Sequence, residues 1–263
     1  MKKIVLLILL VNFYGVGQLQ AQLFGGQLKS NPSPFPPNTV HCDPKFQTAV
    51  VEVVSPGTGR IWMDRNLGAE QVATSSTDKK AFGDLYQWGR GADGHQCRYS
   101  TEQTGRSFGD DTPGHRNFIT VSRSTTFPEN DWRDPQNNNL WQGVTGLNNP
   151  CPEGFRIPTA EEFRQERIRL SIDSSADAFN SVLKFAVSGY RDINGDTLST
   201  AQGSKYGLIW TSTDSGTTPS SDDAYRQYKS QAFAYNDTGD KPASAFENPY
   251  DRARGYSVRC IKN

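Results

Sequence analysis

Behind Met1-Lys2-Lys3 runs an apolar stretch from Ile4 to Val11, and the rest of the chain carries four cysteines, Cys42, Cys97, Cys151 and Cys260. The charged, apolar and small-residue order up to Ala21 is that of a cleaved secretory signal peptide, with processing expected near Ala21-Gln22. The run, broken at Asn12, falls far short of the roughly 20 apolar residues that span a bilayer, so no membrane span is expected in the mature protein. No cysteine adjoins it, which argues against lipid attachment. In an exported chain an even cysteine count reads as a disulfide framework, and four cysteines allow three connectivities. Spacing does not choose among them; the pairing expected here is Cys42 with Cys97 and Cys151 with Cys260. Closing a loop of roughly 110 residues removes about 4 to 5 kcal/mol of unfolded-state freedom in the chain-entropy treatment, and the shorter loop about 4 kcal/mol. The competing reading is zinc held by His41-Cys42 and His95-Gln96-Cys97, but these pairs lack the usual ligand spacings.

After processing, about 240 residues remain, enough for one large domain. Lys plus Arg equals Asp plus Glu at 28 each, so no global field draws the protein to nucleic acid or to an anionic membrane. The 24 glycines and 15 prolines, with many Asn, Ser and Thr, imply long irregular connections. Residues 22–40, with Gly25-Gly26 and Pro32, Pro34, Pro36 and Pro37, read as an extended lead-in, and the folded domain is expected over 41–263.

Along that domain, Thr48 to Val54 and Arg60 to Leu67 flank the turn cluster Ser55-Pro56-Gly57-Thr58-Gly59 and predict a hairpin. Asp78 to Trp88 suits a short helix or turn, and Arg90 to Asn149 holds too many breakers for long elements. A loop region of this length is usually functional or pinned from outside. Thr159-Ala160-Glu161-Glu162 is a capping box that opens a helix running to Leu170. The spacing of Phe163, Arg167 and Leu170 lays its apolar stripe on the core, so Glu161 and Glu166 are expected to face solvent. A weaker helix covers Ser175 to Leu183. Lys184 to Asp192, Leu208 to Thr213, Gln231 to Tyr235 and Tyr256 to Ile261 read as strands.

Three motifs match as strings and fail in context. Gly89-x-Gly91-x-x-Gly94 lacks the strand and helix of a dinucleotide site and reads as a glycine-rich turn. Gly105-x-Ser107-x-Gly109 is followed by Asp110-Asp111-Thr112-Pro113, which cannot form the helix behind a nucleophile elbow. Asp192-x-Asn194-Gly195-Asp196 has glycine too early for a calcium loop and Gly203 where a glutamate belongs, so a hairpin turn is expected. Three histidines, with no well-spaced nucleophile and base, leave acid–base and nucleophilic chemistry without an obvious player.

Read in order, Gly59-Arg60-Ile61-Trp62-Met63-Asp64-Arg65-Asn66-Leu67-Gly68-Ala69, Gly83-Asp84-Leu85-Tyr86-Gln87-Trp88-Gly89-Arg90-Gly91 and Asp131-Trp132-Arg133 resemble the Fibrobacter succinogenes major paralogous domain family. Asn148 to Thr159, Gly189-Tyr190-Arg191, Ile209 to Thr213 and Ser257 to Lys262 continue the resemblance, which covers residues 48–263. That family is similar to C-type-lectin-like domains. The resemblance implies an α+β, C-type-lectin-like mixed fold: small twisted antiparallel sheets, one or two helices, first and last strands paired, and long irregular loops at one end. Formylglycine-generating enzymes share the broad fold, and Arg156 to Phe163 resembles one of their blocks. The paired reactive cysteines of those enzymes have no counterpart between Cys151 and Cys260, so that activity is not carried over. The calcium-and-sugar strings E-P-N, Q-P-D and W-N-D of sugar-binding lectins do not occur here either.

The function expected from these features is a secreted or cell-surface, non-catalytic binding module of a bacterial envelope, its partner an extracellular glycan or protein. Its candidate site is the long loop, with Trp132 and Trp141 as aromatic platforms and Asp131, Arg133, Asn137 and Asn139 as polar contacts. The opposing expectation is that both tryptophans pin the loop to the core, since Trp is highly buried on average. No cofactor is expected; the alternative is calcium held by loop oxygens of Asp131, Asn137, Asn138 and Asn139. The other function classes are a formylglycine-generating-enzyme-like or metal-dependent enzyme and a structural envelope protein.

Overall fold

A computed structural model describes residues 33–122, 130–198, 206–214, 229–236 and 250–263. The expected signal peptide and most of the lead-in lie outside the described residues. A compact unit begins at Pro34, ahead of His41. Phe35 is buried in the core, and the backbone is tied down where Glu153 N donates to Pro34 O (2.7 Å) and Val40 N to Ala92 O (2.7 Å).

In chain order the strands are β1 (Glu52–Val54), β2 (Ile61–Met63), β3 (Tyr86–Gln87), β4 (Glu102–Thr104), β5 (Ser107–Phe108), β6 (Phe118–Thr120), β7 (Arg133–Asp134) and β8 (Phe155–Arg156). Then follow β9 (Tyr190–Arg191), β10 (Thr197–Leu198), β11 (Tyr206–Asp214), β12 (Lys229–Asn236), β13 (Tyr250–Asp251), β14 (Gly255–Tyr256) and β15 (Ile261–Lys262). Helices α1 (Ala160–Arg169) and α2 (Ser175–Asn180) lie between β8 and β9, and a 3-10 turn covers Lys79–Ala81. This is a mixed α+β fold of small, mostly antiparallel sheets joined by irregular loops.

The turn at Ser55–Gly59 closes the expected hairpin, with Gly59 at φ +74° and its N–H donating to Ser55 O (2.8 Å). The last strand joins this hairpin, but through β2 rather than β1, in the order β1-β2-β15-β8. A second sheet runs β10-β9-β14-β3, and β11, β12 and β13 form a third. Two short parallel pairs, β4 with β6 and β5 with β7, have no counterpart in the expected antiparallel pattern. They arise because the loop region crosses itself twice in the same direction. Gly195 N donates to Asp192 O (3.0 Å) in the turn between β9 and β10, so that acidic stretch is a hairpin turn.

Helix α1 starts at its capping box: Glu162 N donates to Thr159 Oγ1 (3.2 Å) and Thr159 N to Glu162 Oε2 (2.8 Å). Phe163 on its inner face stacks on Phe233, with ring centroids 5.0 Å apart. The expected outward face needs one correction. Glu161 is exposed, but Glu166 is buried at 1% exposure, because it follows Phe163 by three residues and shares its face. Its carboxylate accepts hydrogen bonds from Ser55 Oγ (2.5 Å), Thr58 Oγ1 and Trp62 Nε1 (3.1 Å), tying the helix to the hairpin turn. Helix α2 ends at Asn180, short of Leu183, because the chain turns extended at Ser181.

One part of the core gathers Trp88, Trp141, Trp210 and Tyr256 around the Cys151–Cys260 disulfide; another gathers Trp62, Phe163, Phe185 and Phe233. All five tryptophans are buried, and each indole N–H has an acceptor. Cys42 and Cys97 form the second disulfide, so both expected pairings are present. Disulfides of this kind persist in an oxidising compartment. Among the described residues no helix is long and apolar enough to cross a membrane.

Candidate functional site

Of the loop residues expected to meet a ligand, Asp131, Trp132, Arg133 and Trp141 are buried. Trp132 and Trp141 are exposed by only 1% and 0%, so neither ring has a face for a sugar to stack on. Trp132 Nε1 donates to Trp88 O (2.7 Å), and Trp141 Nε1 donates to Arg90 O (3.2 Å) and Asn148 O (3.1 Å). Burying an indole requires an acceptor for its N–H, and the loop backbone supplies one in each case. Arg133 is also buried; its Nη2 donates to Gly109 O (3.0 Å), its Nη1 to Pro135 O, and its Nε lies 2.7 Å from Asp111. Asn137 is half-buried and Asn139 exposed; Asn137 Nδ2 donates to Asp111 Oδ1 (3.0 Å), while its Oδ1 accepts from Asn139 N (2.9 Å). Trp132, Trp141, Arg133 and Asn137 hold the loop in place through these bonds, while the Asn139 side chain remains at the surface.

The oxygens considered for calcium converge on a cation already in the protein. Arg252 Nη2 donates to Asn138 Oδ1 (2.8 Å), and its Nη1 lies 3.8 Å from Asp131 Oδ2 and 3.5 Å from Asn137 O. Burial raises the Asp131 carboxyl to about 6, against the pull of Arg252. Oxygens of Asp131, Asn137 and Asn138 thus already face a guanidinium, and Asn139 is not among them. At the other proposed metal position, the Cys42 and Cys97 sulfurs are joined to each other. His95, fully buried, accepts from Gln87 N at Nε2 (3.0 Å), which leaves Nδ1 to donate to Asp93 Oδ1 (2.5 Å).

On the side of the Cys42–Cys97 disulfide lies a cleft of about 1010 Å³, walled by Phe35, Phe46 and that disulfide. Asp84 and Tyr86 line it from within the core, at 9% and 3% exposure, and Tyr99 stands at its rim at 97% exposure. Two local features place Asp84. Gly83 at φ +70° lets the chain turn into β3, and Gly68 lies against the Asp84 carboxyl so closely that a Cβ there would collide with it. Arg98 lies near the carboxyl, but its guanidinium is directed elsewhere, Nε to Gly83 O (2.7 Å) and Nη2 to Ser188 O (3.1 Å). Burial pushes the Asp84 carboxyl up to about 7, with the Arg98 charge opposing. Burial, and then the charges of Asp84 and Asp93, push the Tyr86 hydroxyl above its usual range.

Comparison with family models, with curated proteins and with solved structures finds no match.

Asp84 and Tyr86 were quoted in the family resemblance and given no role there. Their signal is local: they are two residues apart where the chain enters a strand, and that period puts both side chains on one side. An ionisable and a hydroxylic residue flanking the core residue Leu85, just before and at the start of β3, ask for partners that the sequence does not name.

The raised Asp84 value has a measurable consequence. The folded state holds this proton more tightly than the unfolded chain does, whose carboxyl titrates near 3.8. The stability linked to the protonated form is therefore complete below that value and is lost as pH rises through about 7. Urea unfolding of wild type and D84N across pH 4 to 8 is expected to show D84N gaining on wild type as pH rises, by up to ~1.4 kcal/mol per pH unit. Parallel pH profiles for the two proteins would contradict the assignment.

Proposed function

We propose that the chain is a secreted or cell-surface binding module whose ligand, a glycan or a protein, seats in the cleft beside the Cys42–Cys97 disulfide. One observation carries this reading: a cleft of about 1010 Å³ lined by the buried polar residues Asp84 and Tyr86, with the exposed ring of Tyr99 beside them. Concave sites with a few convergent polar groups and a perturbed ionisable group are the usual places for ligands. The signal-peptide order at the N-terminus and the two disulfides support export to an oxidising compartment. The resemblance to the Fibrobacter succinogenes major paralogous domain, itself part of this proposal, supports an envelope location. A loop region tied down from inside, as by Arg90 donating to Asn117 O (3.0 Å) and His115 O (3.2 Å), suits a module that offers a fixed surface.

The test is retention of ligands from a glycan and surface-protein array by the exported protein and by Y99A. Tyr99 is almost fully exposed, so its removal is expected to change stability by about 0.5 kcal/mol or less while retention falls. Equal retention by both proteins, or none by wild type, would count against the cleft.

A second reading, general acid–base catalysis at Asp84, is favoured by its elevation to about 7, near the pH at which such groups work best. It predicts breakdown of a retained ligand by wild type and not by D84N.

A further inference from the structure

Asp84 and Tyr86 also bear on the chemistry of the ligand, if the cleft is the binding site as proposed above. Both side chains are more than nine-tenths buried and both line the cleft. No side-chain hydrogen bond joins Asp84 or Tyr86 to another described residue, and neither side chain is among the buried polar atoms sealed away from solvent, so their polar atoms open on the cleft they line. Polar groups in so buried a setting are nearly always hydrogen-bonded, and with no protein partner these two are left to whatever enters the cleft, water or a ligand.

The donor and acceptor inventory narrows what that something is. A carboxylate accepts through two oxygens in one plane, and a phenol both donates and accepts. Two residues apart in the chain and lining one cleft, they supply acceptor oxygens and a group that can also donate. A pair of adjacent hydroxyls matches that inventory, each hydroxyl donating to one of the two side chains while one of them accepts from the phenol.

Charge argues against the ionic alternatives. An ammonium group approaching Asp84 meets the Arg98 charge beside it, and an anion meets Asp84 itself. The rim is mixed, with Lys79, Lys80 and Arg116 against Asp43 and Glu70. Lys80 Nζ lies 3.6 Å from Glu70 Oε2, so part of the rim's charge is already paired. The Asp84 carboxyl, at about 7, is also far from a permanent anion at neutral pH, which suits a neutral ligand better than a cation. Tyr99, with its ring standing in solvent at the rim, offers the flat apolar surface on which the face of a sugar ring packs.

We propose that the cleft binds a neutral carbohydrate, with vicinal hydroxyls of one sugar residue hydrogen-bonded to Asp84 and Tyr86 and the adjoining part of the chain packed on Tyr99. No metal ion takes part in this recognition.

The test is affinity electrophoresis of the exported protein in gels carrying mannan, dextran or galactomannan, with alginate as a polyanion control and EDTA in every gel. Retardation by at least one neutral polymer is expected, with D84N and Y86F weakened about 10- to 100-fold, the range for hydrogen bonds involving a charged or buried group. E161Q, on the exposed face of α1, is expected to migrate as wild type. Y86F keeps the ring and its packing, so it carries the test if D84N fails to fold; melting temperatures identify that case. Neutral-polymer binding that both variants retain in full would overturn this inference and leave the binding-module reading standing. Retardation by alginate alone, retention of protein ligands alone, or binding abolished by EDTA would do the same. Absence of any retention, by polymers or by array proteins, would overturn both.

Discussion

Replacing Cys151 and Cys260 together by alanine is expected to lower the unfolding free energy by about 4 to 5 kcal/mol. The bond joins positions 109 residues apart, so it removes a large loop-closure entropy from the unfolded chain. It also lies in the densest part of the core, at 2% and 0% exposure, packed with Trp88, Trp141 and Trp210. The loss is comparable to the whole stability of many domains, about 5 to 15 kcal/mol. The Cys42–Cys97 bond, 55 residues in span, is expected to contribute about 0.6 kcal/mol less from the entropy of closure. Urea unfolding of the oxidised wild type and the two double variants measures both. A loss below about 2 kcal/mol for the Cys151–Cys260 pair would mean that the surrounding aromatic packing, and not the cross-link, holds this fold.

The second large effect is expected at Glu166. Its carboxylate is buried at 1% exposure and receives three neutral donors, Ser55 Oγ, Thr58 Oγ1 and Trp62 Nε1. Alanine there leaves three donors without an acceptor and a cavity between α1 and the hairpin turn, a combination expected to cost about 3 to 5 kcal/mol. Glutamine keeps one acceptor oxygen and most of the volume, and the two hydroxyls can rotate to accept from its amide. E166Q is therefore expected to cost about 1 kcal/mol. Denaturant midpoints of the two variants separate the carboxylate's role from a solvent-facing one. If E166A stays within 0.5 kcal/mol of wild type, the helix is not latched to the turn in this way.

Elements carried by local chemistry were legible in the amino-acid sequence. The hairpin around Ser55–Gly59 and the capped start of α1 depend on turn and capping residues that sit next to one another, and both are present. Both disulfide pairings also match the expectation, although spacing alone left three. What the sequence left open or misplaced has a partner far along the chain. Glu166 looked like a surface residue because its donors are 104 to 111 residues away, so nothing nearby in sequence marks it as an acceptor. Whether Trp132 and Trp141 were platforms or anchors of the loop stayed open for the same reason: the carbonyls of Trp88 and Arg90 that hold them are 44 and 51 residues upstream. The would-be calcium oxygens take the guanidinium of Arg252, 114 residues from Asn138. The cleft combines residues from the lead-in, the hairpin region and the chain around Cys97, and no local pattern brings those together. A pair of polar residues at strand period, Asp84 and Tyr86, was the one sign of it on a short stretch of sequence.

Where a ligand touches this molecule is therefore the decisive question. Hydroxyl-radical footprinting of the exported protein, alone and saturated with the polysaccharide that retards it, answers it residue by residue. The account predicts protection at Tyr99 and Phe46, with Trp132 and Trp141 equally unreactive in both states because they are already buried. Protection confined to the exposed part of the 131–141 loop, with Tyr99 unchanged, would contradict it.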